Sequence, residues 1–399
     1  MGQLCLQSSS ANMSERGLTA ADRRRSLIAI YGAAAAFGFT FGLSSPLLSL
    51  ILESRQVGSS VIGLNGAMTA LGILASAPVI PFLIRKLGVM RFITTSVSLA
   101  TLTLLLLRAV DDLSIWFPLR FLLGVALNGL LLTSETWINQ IADGASRGRA
   151  IGIYVTVLAA AFALGPIIIP LTGTEGWTPF LIGAAVIMAS AFAFLPVRRI
   201  APRFDDHQTV AVLSFFRVAP TLMAAVAAVA VIDGALIVHL AVYGLRLEAT
   251  LAVAAGMISA FMIGNVLLQI PLGWMADRLN GYRVLATCAA IGIFCGLAVA
   301  ALGPSDAILW PILVIWGGST YGMYTIALTL LGHRFSGNNL VAANAAFALM
   351  WGVGGIAGPA AGGLAMDAVG PPGLPLTIVV TCVLFLVLLV IRRPEILRR

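Results

Sequence analysis

Arg120, Glu135, Asp233 and His239 each interrupt a long apolar run, and ionisable side chains in such places are costly enough to mark either function or a buried pair. Asp233 is the deepest: at 1.5 Å of rise per residue it lies ~3 Å from the centre of its run. A carboxylate there can take up and release a proton. The alternative is structural, a carboxylate paired with a neighbour or hydrogen-bonded to the apolar run near 340–365. Glu135 lies about 8–12 Å from the centre of its own run, beside Trp137, a residue type that favours membrane interfaces. It reads either as a second proton-coupling acid or as half of a gate ion pair with Arg85, Lys86 or Arg91. Arg120, in the outer part of the same run, can attract an anionic substrate, pair with Asp233, or serve a purely structural pair. His239 titrates near neutral pH. Six residues after Asp233, it points about 120° away around a helix, so a satisfied histidine is expected there and not a relay.

Such groups need helices that cross a membrane to hold them. Of the 399 residues, 59% are hydrophobic and 10% charged, against roughly 25% charged in a soluble domain. A spanning helix takes about 20 mostly apolar residues, and the runs predict twelve. In the first half they lie near 27–52, 61–84, 92–110, 114–141, 149–171 and 178–196. In the second half they lie near 219–243, 250–272, 284–302, 307–331, 340–365 and 375–391. The expected organisation is a tail over 1–25, a six-helix bundle over 26–196, a linker over 197–218, a second bundle over 219–391 and a tail over 392–399. The first run begins near Ser26 with no cleavage site after it, so no signal peptide is expected, and Met1 and Met13 both remain possible starts. With the N-terminus inside, 20 of the 24 Lys and Arg residues fall on the inner side. By the positive-inside rule both termini are then cytoplasmic, in a multi-pass membrane protein.

Several functions are disfavoured by what accompanies these runs. The net charge of +8 comes from small basic groups between spans, without the stripe and interleaved aromatics of a nucleic-acid groove. Lys86 is the sole lysine and no Gly-x-x-x-x-Gly-Lys loop is present, so ATP-driven pumping is not expected. Three histidines in separate segments give neither a metal cluster nor a nucleophile–base pair. No metal, no cofactor and no enzymatic activity are expected. Cys288 and Cys295 share a helix face and, like Cys382, read as small packing residues.

A shift of 193 superposes Pro78 on Pro271, Arg85 on Arg278, Gly88 on Gly281, Pro118 on Pro311, Gly124 on Gly317, Gly129 on Gly322, Gly165 on Gly358 and Pro166 on Pro359. A fixed offset of nearly half the chain predicts two parallel six-span repeats, which can rock about a site near the midplane. Glycines at the matched positions let helix backbones approach closely.

The segment Pro271-Leu272-Gly273-Trp274-Met275-Ala276-Asp277-Arg278-Leu279-Asn280-Gly281-Tyr282-Arg283 resembles the signature loop of the major facilitator superfamily. Its copy in the first half, Arg85 to Arg91, keeps Gly88 and the basic residues but has Ile84 where Asp277 maps. Arg120 through Gly129 is similar to the superfamily's fourth-helix motif. Gly354, Gly358, Pro359, Gly362 and Gly363 resemble its antiporter Gly-Pro motif, here fullest on the eleventh helix, whereas the family carries it on the fifth. Ser134-Glu135-Thr136-Trp137 with Arg147-Gly148-Arg149 and Tyr154 is similar to a bacterial subgroup.

The resemblance implies an all-α membrane protein of twelve helices in two pseudo-symmetric bundles. The expected function is secondary active transport of a small organic solute, coupled to protons, with the chain acting as a monomer in the lipid bilayer. Export, uptake by symport and facilitated diffusion stay open as its direction. A channel and an intramembrane enzyme are the alternatives from other classes. The resemblance also implies a cavity lined by the first, fourth, seventh and tenth helices, which offer Tyr31, Asn128, Trp316, Thr320, Tyr321 and Tyr324. A wall of aromatics and hydroxyls suits an amphipathic or weakly cationic molecule; ordinary helix packing explains it equally well. Further implied are a role for Arg120 in proton coupling and a cytoplasmic gate at Asp277 and Arg278, with Arg283 and Arg85.

Overall fold

The computed structural model describes residues 19–141, 147–198, 215–335 and 337–392. The expected tails over 1–18 and 393–399 and most of the expected linker, 199–214, lie outside the described residues. Those described are almost wholly helical, as an apolar solvent demands of a chain whose backbone groups must bond within their own segment. In order they are α1 (Ala20–Ser54), α2 (Ser59–Ser76), α3 (Ile80–Leu87), α4 (Val89–Ala109), α5 (Leu113–Ile141), α6 (Arg147–Thr172) and α7 (Thr178–Phe194). After them come α8 (Phe215–Val218), α9 (Pro220–Arg246), α10 (Leu251–Arg278), α11 (Gly281–Ala301), α12 (Leu309–Arg334), α13 (Gly337–Val369) and α14 (Gly373–Ile391). Side-chain caps mark several starts. Thr19 accepts from the Asp22 N–H, Thr250 from the Val253 N–H, and Asn280 from the N–H groups of Tyr282 and Arg283.

Eleven helices among the described residues are long and apolar enough to cross a membrane. The twelfth span is α12, 26 residues long, whose middle, Trp316-Gly317-Gly318-Ser319-Thr320-Tyr321, is too polar to join that count. The single helix expected over 61–84 is in fact broken. α2 stops at Ser76 and α3 starts at Ile80, because Pro78 has no N–H for the helical ladder, although Ala77 and Val79 on either side of it keep helical backbone angles.

The twelve spans form an all-α membrane fold of two similar halves. α1 packs on α6, and its repeat counterpart α9 packs on α13; α2 packs on α5, and its counterpart α10 packs on α12. The glycine matches explain why these crossings are close. A Cβ on Gly124 would run into the Thr69 carbonyl, and one on Gly317, 193 residues on, into the Phe261 carbonyl. Likewise Gly165 abuts the backbone of Gly42 and Leu43, and Gly358 abuts the carbonyl of Val231. The halves meet mainly through α2 against α13 and α6 against α10.

The end opposite the termini is fastened by charge. Arg246 at the end of α9 donates from Nε to Glu53 Oε1 and from Nη2 to Glu53 Oε2, both at 2.8 Å. Asp367 in the last turn of α13 accepts from the N–H groups of Ser59 and Ser60, each at 2.8 Å. Those N–H groups belong to the first turn of α2 and have no acceptor within their own helix. One half therefore caps a helix of the other.

Candidate functional site

Asp233 lies at the middle of α9, half-buried. On one side its neighbour Gly234 lets α9 settle against Gly355 and Pro359 of α13. On the other, its carboxylate accepts a hydrogen bond from the Tyr321 hydroxyl of α12, which also lies 3.4 Å from the Met262 sulfur of α10. The polar line continues along the same two helices. Thr325, one turn beyond Tyr321, donates to Gln269 Oε1 at 2.6 Å, and Gln269 in turn bonds Asn265. Met262, Asn265 and Gln269 lie at i, i+3 and i+7, one face of α10. A row of uncharged donors and acceptors thus leads away from the carboxylate toward the end that carries the termini.

Glu135 in α5 is also half-buried. It stands within electrostatic reach of Tyr154 in α6 and of Tyr324 in α12, the second from the opposite half. The Tyr324 ring meets Trp351 edge-on at 5.6 Å and Phe347 at 6.3 Å, both on α13. An aromatic corner of the second half therefore faces an acid of the first. Among the described residues no basic side chain stands beside either Asp233 or Glu135.

Arg120 does not meet Asp233. Its Nη1 donates to Asn65 Oδ1 of α2 at 3.2 Å in a site where the arginine is only 1% exposed. The α2–α5 crossing at Gly72 and Gly124 brings Asn65 within reach and turns the guanidinium into its own half. His239 is fully buried, with Nε2 2.9 Å from the Pro359 carbonyl oxygen, and Nδ1 has no partner.

The expected cavity residues divide in two. Tyr321 and Tyr324 join the acid-bearing groups just described. Of the other four, Tyr31 and Asn128 tie helices together: Tyr31 donates to the Ala150 carbonyl at 3.2 Å, and Asn128 donates to the Ile73 carbonyl and to Ser76 Oγ, each at 2.9 Å. Trp316 is fully buried edge-on against Phe261, and Thr320 is buried. At the expected gate, the Arg278 guanidinium lies 4.3 Å from the centroid of the Trp274 ring. Arg85 falls in the last turn of α3 and the Arg283 N–H is capped by Asn280. The Asp277 side chain lies outside the described residues. Asn65, Asn265 and Gln269 were not expected as site residues; their signal is an amide inside an apolar run. Among the described residues no three His, Cys, Asp or Glu groups are placed to hold a metal ion.

Residues 30–340 match the sequence profile of the Major Facilitator Superfamily. The chain is 26% identical over 337 residues to the uncharacterized MFS-type transporter YfkF of Bacillus subtilis (strain 168), covering 83% of this chain and 86% of that protein. It is 21% identical over 246 residues to the uncharacterized MFS-type transporter YcaD of Escherichia coli, 61% of this chain and 63% of that one. Its fold is similar to that of the nucleoside transporter NupG, with a TM-score of 0.73 at 13% identity over 92% of this chain and 97% of that one. It is also similar to a bacterial homolog of the human lysosomal transporter Spinster in an inward-facing, unoccupied conformation. There the TM-score is 0.73 at 17% identity over 93% of this chain and 96% of that one.

Proposed function

Because the chain belongs to the Major Facilitator Superfamily and is by family and fold a membrane transporter, we propose that it is a proton-coupled secondary transporter of a small organic solute. The observation that carries this reading is the half-buried Asp233, held by a neutral tyrosine with no basic partner beside it. A buried charge without a counter-ion is costly, so this carboxylate has reason to bind a proton whenever the site closes over it. The amides and hydroxyls of Asn265, Gln269 and Thr325 provide a polar route to it. Tyr324, Trp351 and Phe347 opposite Glu135 form a corner suited to an amphipathic or weakly cationic solute. The transporter acts as a monomer, in the bacterial inner membrane. The test is a thermal-shift screen of purified protein with nucleosides, sugars and organic amines, followed by flux of the best stabiliser into proteoliposomes. No pH-gradient dependence of that flux would overturn the coupling.

Alternating access needs contacts that close one end while the other is open. Glu53–Arg246 and Asp367 on the start of α2 serve that purpose at the end opposite the termini. Glu53 and Arg246 are 193 residues apart, the repeat offset, so the pair joins equivalent positions of the two halves. Spin labels at Ser114→Cys and Ala307→Cys, which are exposed and also equivalent, read that closure as a distance. In Glu53→Gln with Asp367→Asn, a longer distance should appear, its population rising on the order of tenfold for lost charge-assisted bonds. An unchanged distance distribution would remove the closing role.

Both termini are cytoplasmic in this reading. Reporter fusions after Arg203 and at Arg399 are expected to report cytoplasm, and fusions at Glu53 or Asp306 periplasm. A periplasmic C-terminus would contradict it.

A further inference from the structure

We infer that the second half carries a binding site for the phosphate headgroup of an anionic phospholipid, at the end of the molecule that holds the termini. The site is a cavity of about 410 Å³ where α8, α9, α11 and α12 meet the end of α14. Arg217, His333, Arg334 and Arg392 line it, with the Thr221 hydroxyl, and among the described residues no acidic residue is in its lining. Arginine stays charged and presents a planar fork of donors that matches phosphate oxygens.

The backbone adds to this field. α9 is 27 residues long and opens into the cavity at Pro220, with Ala219 before it providing no side-chain cap. The positive end of the helix dipole favours an anion there, although Pro220 has no N–H and those of Leu222 and Met223 bond the Ala219 carbonyl. The arginines are not placed by chance collapse of loose chain: Arg334 Nη2 donates to the Val218 carbonyl at 2.9 Å, bracing α12 against the α8–α9 break that forms the cavity wall.

Two sources could supply the phosphate, a lipid or a free anion, and the surface beside the cavity favours the lipid. Leu384, Val387, Val390 and Ile391 form an exposed stripe along α14, at 64%, 49%, 65% and 69% exposure. Their spacing puts them on one helix face. The stripe ends at Arg392, which lines the cavity. Acyl chains lying along α14 therefore bring a headgroup to the arginines. Basic pockets between spanning helices are a recurrent form of such recognition. This site lies apart from Asp233 and Glu135, so the inference stands independently of the transport reading.

Native mass spectrometry of the detergent-purified protein titrated with phosphatidylglycerol or phosphatidylethanolamine tests it, with inorganic phosphate compared by thermal shift. Phosphatidylglycerol should be retained preferentially and should raise the Tm more than phosphate does. Each arginine near an anionic lipid contributes roughly a fivefold gain in affinity. Arg217→Gln should therefore weaken phosphatidylglycerol retention about fivefold, and Arg217→Gln with Arg334→Gln more than tenfold. Arg149→Gln, at the same end of the first half, should leave it unchanged. Among the described residues Arg217 makes no hydrogen bond like that of Arg334, so the single variant stays informative if the double one is unstable. Equal retention of the two lipids, or wild-type retention by Arg217→Gln, would overturn the site. Stabilisation by inorganic phosphate equal to that by phosphatidylglycerol would overturn the lipid as its ligand.

Discussion

Asp233→Asn is expected to abolish pH-driven accumulation while leaving downhill exchange of solute in place. Asparagine keeps the size of the side chain and still bonds the Tyr321 hydroxyl, so the α9–α12 contact survives. It cannot gain or lose a proton, so the step that ties proton movement to reorientation is lost. Tyr321→Phe should be milder. It removes one hydrogen bond, about 1 kcal/mol while the acid is protonated and about 2 kcal/mol when it is ionised, and leaves the carboxylate titratable. Glu135→Gln decides between the two acids. Its carboxylate faces Tyr324 across the halves, where it can hold solute without carrying the proton, and the variant should weaken solute binding but retain accumulation. If Asp233→Asn still concentrates solute while Glu135→Gln does not, the proton is carried by Glu135.

Gly317→Ala is the second large effect, and it acts on folding. The added Cβ would collide with the Phe261 carbonyl of α10, a backbone atom that can yield only if the whole α10–α12 crossing opens. Overpacking at such a point costs on the order of 3 kcal/mol, enough to cut the yield of monodisperse protein and lower its Tm by several degrees. Gly124→Ala against Thr69 should behave alike, since the same crossing recurs in the first half. Gly332→Ala is the control. It lies in the same helix as Gly317 with nothing within 4 Å of the added carbon, and Ala is the better helix former by up to about 1 kcal/mol. A Gly317→Ala protein as stable as the control would mean that α10 and α12 are not packed backbone to backbone.

Why these two positions were legible in the sequence, while their surroundings were not, has a physical basis. Asp233 stands out because one carboxylate inside an apolar run is expensive wherever the run is placed. Gly317 stands out because the repeat pairs it with Gly124, and two copies of one crossing need the same small residue. The spans were legible for the same kind of reason, except where proline broke the second into α2 and α3. Partners across helices are a different matter. Tyr321 lies 88 residues from Asp233 and Asn65 lies 55 from Arg120, and no local period links such pairs. Asn65, Asn265 and Gln269 carry no charge, so the cost that marks Asp233 does not mark them. Trp316 sits on the same helix as Tyr321 yet about 140° around it. That rotation sends it into the packing against Phe261, while Tyr321 and Tyr324, three apart, share the face that meets the acids.

Accumulation of the best-stabilising solute by proteoliposomes of the purified protein, with and without an imposed pH gradient, tests proton-coupled transport most directly. The solute is expected to rise above its outside concentration only while the gradient stands, and to run back down when a protonophore is added. Accumulation that persists unchanged in the presence of the protonophore would contradict it.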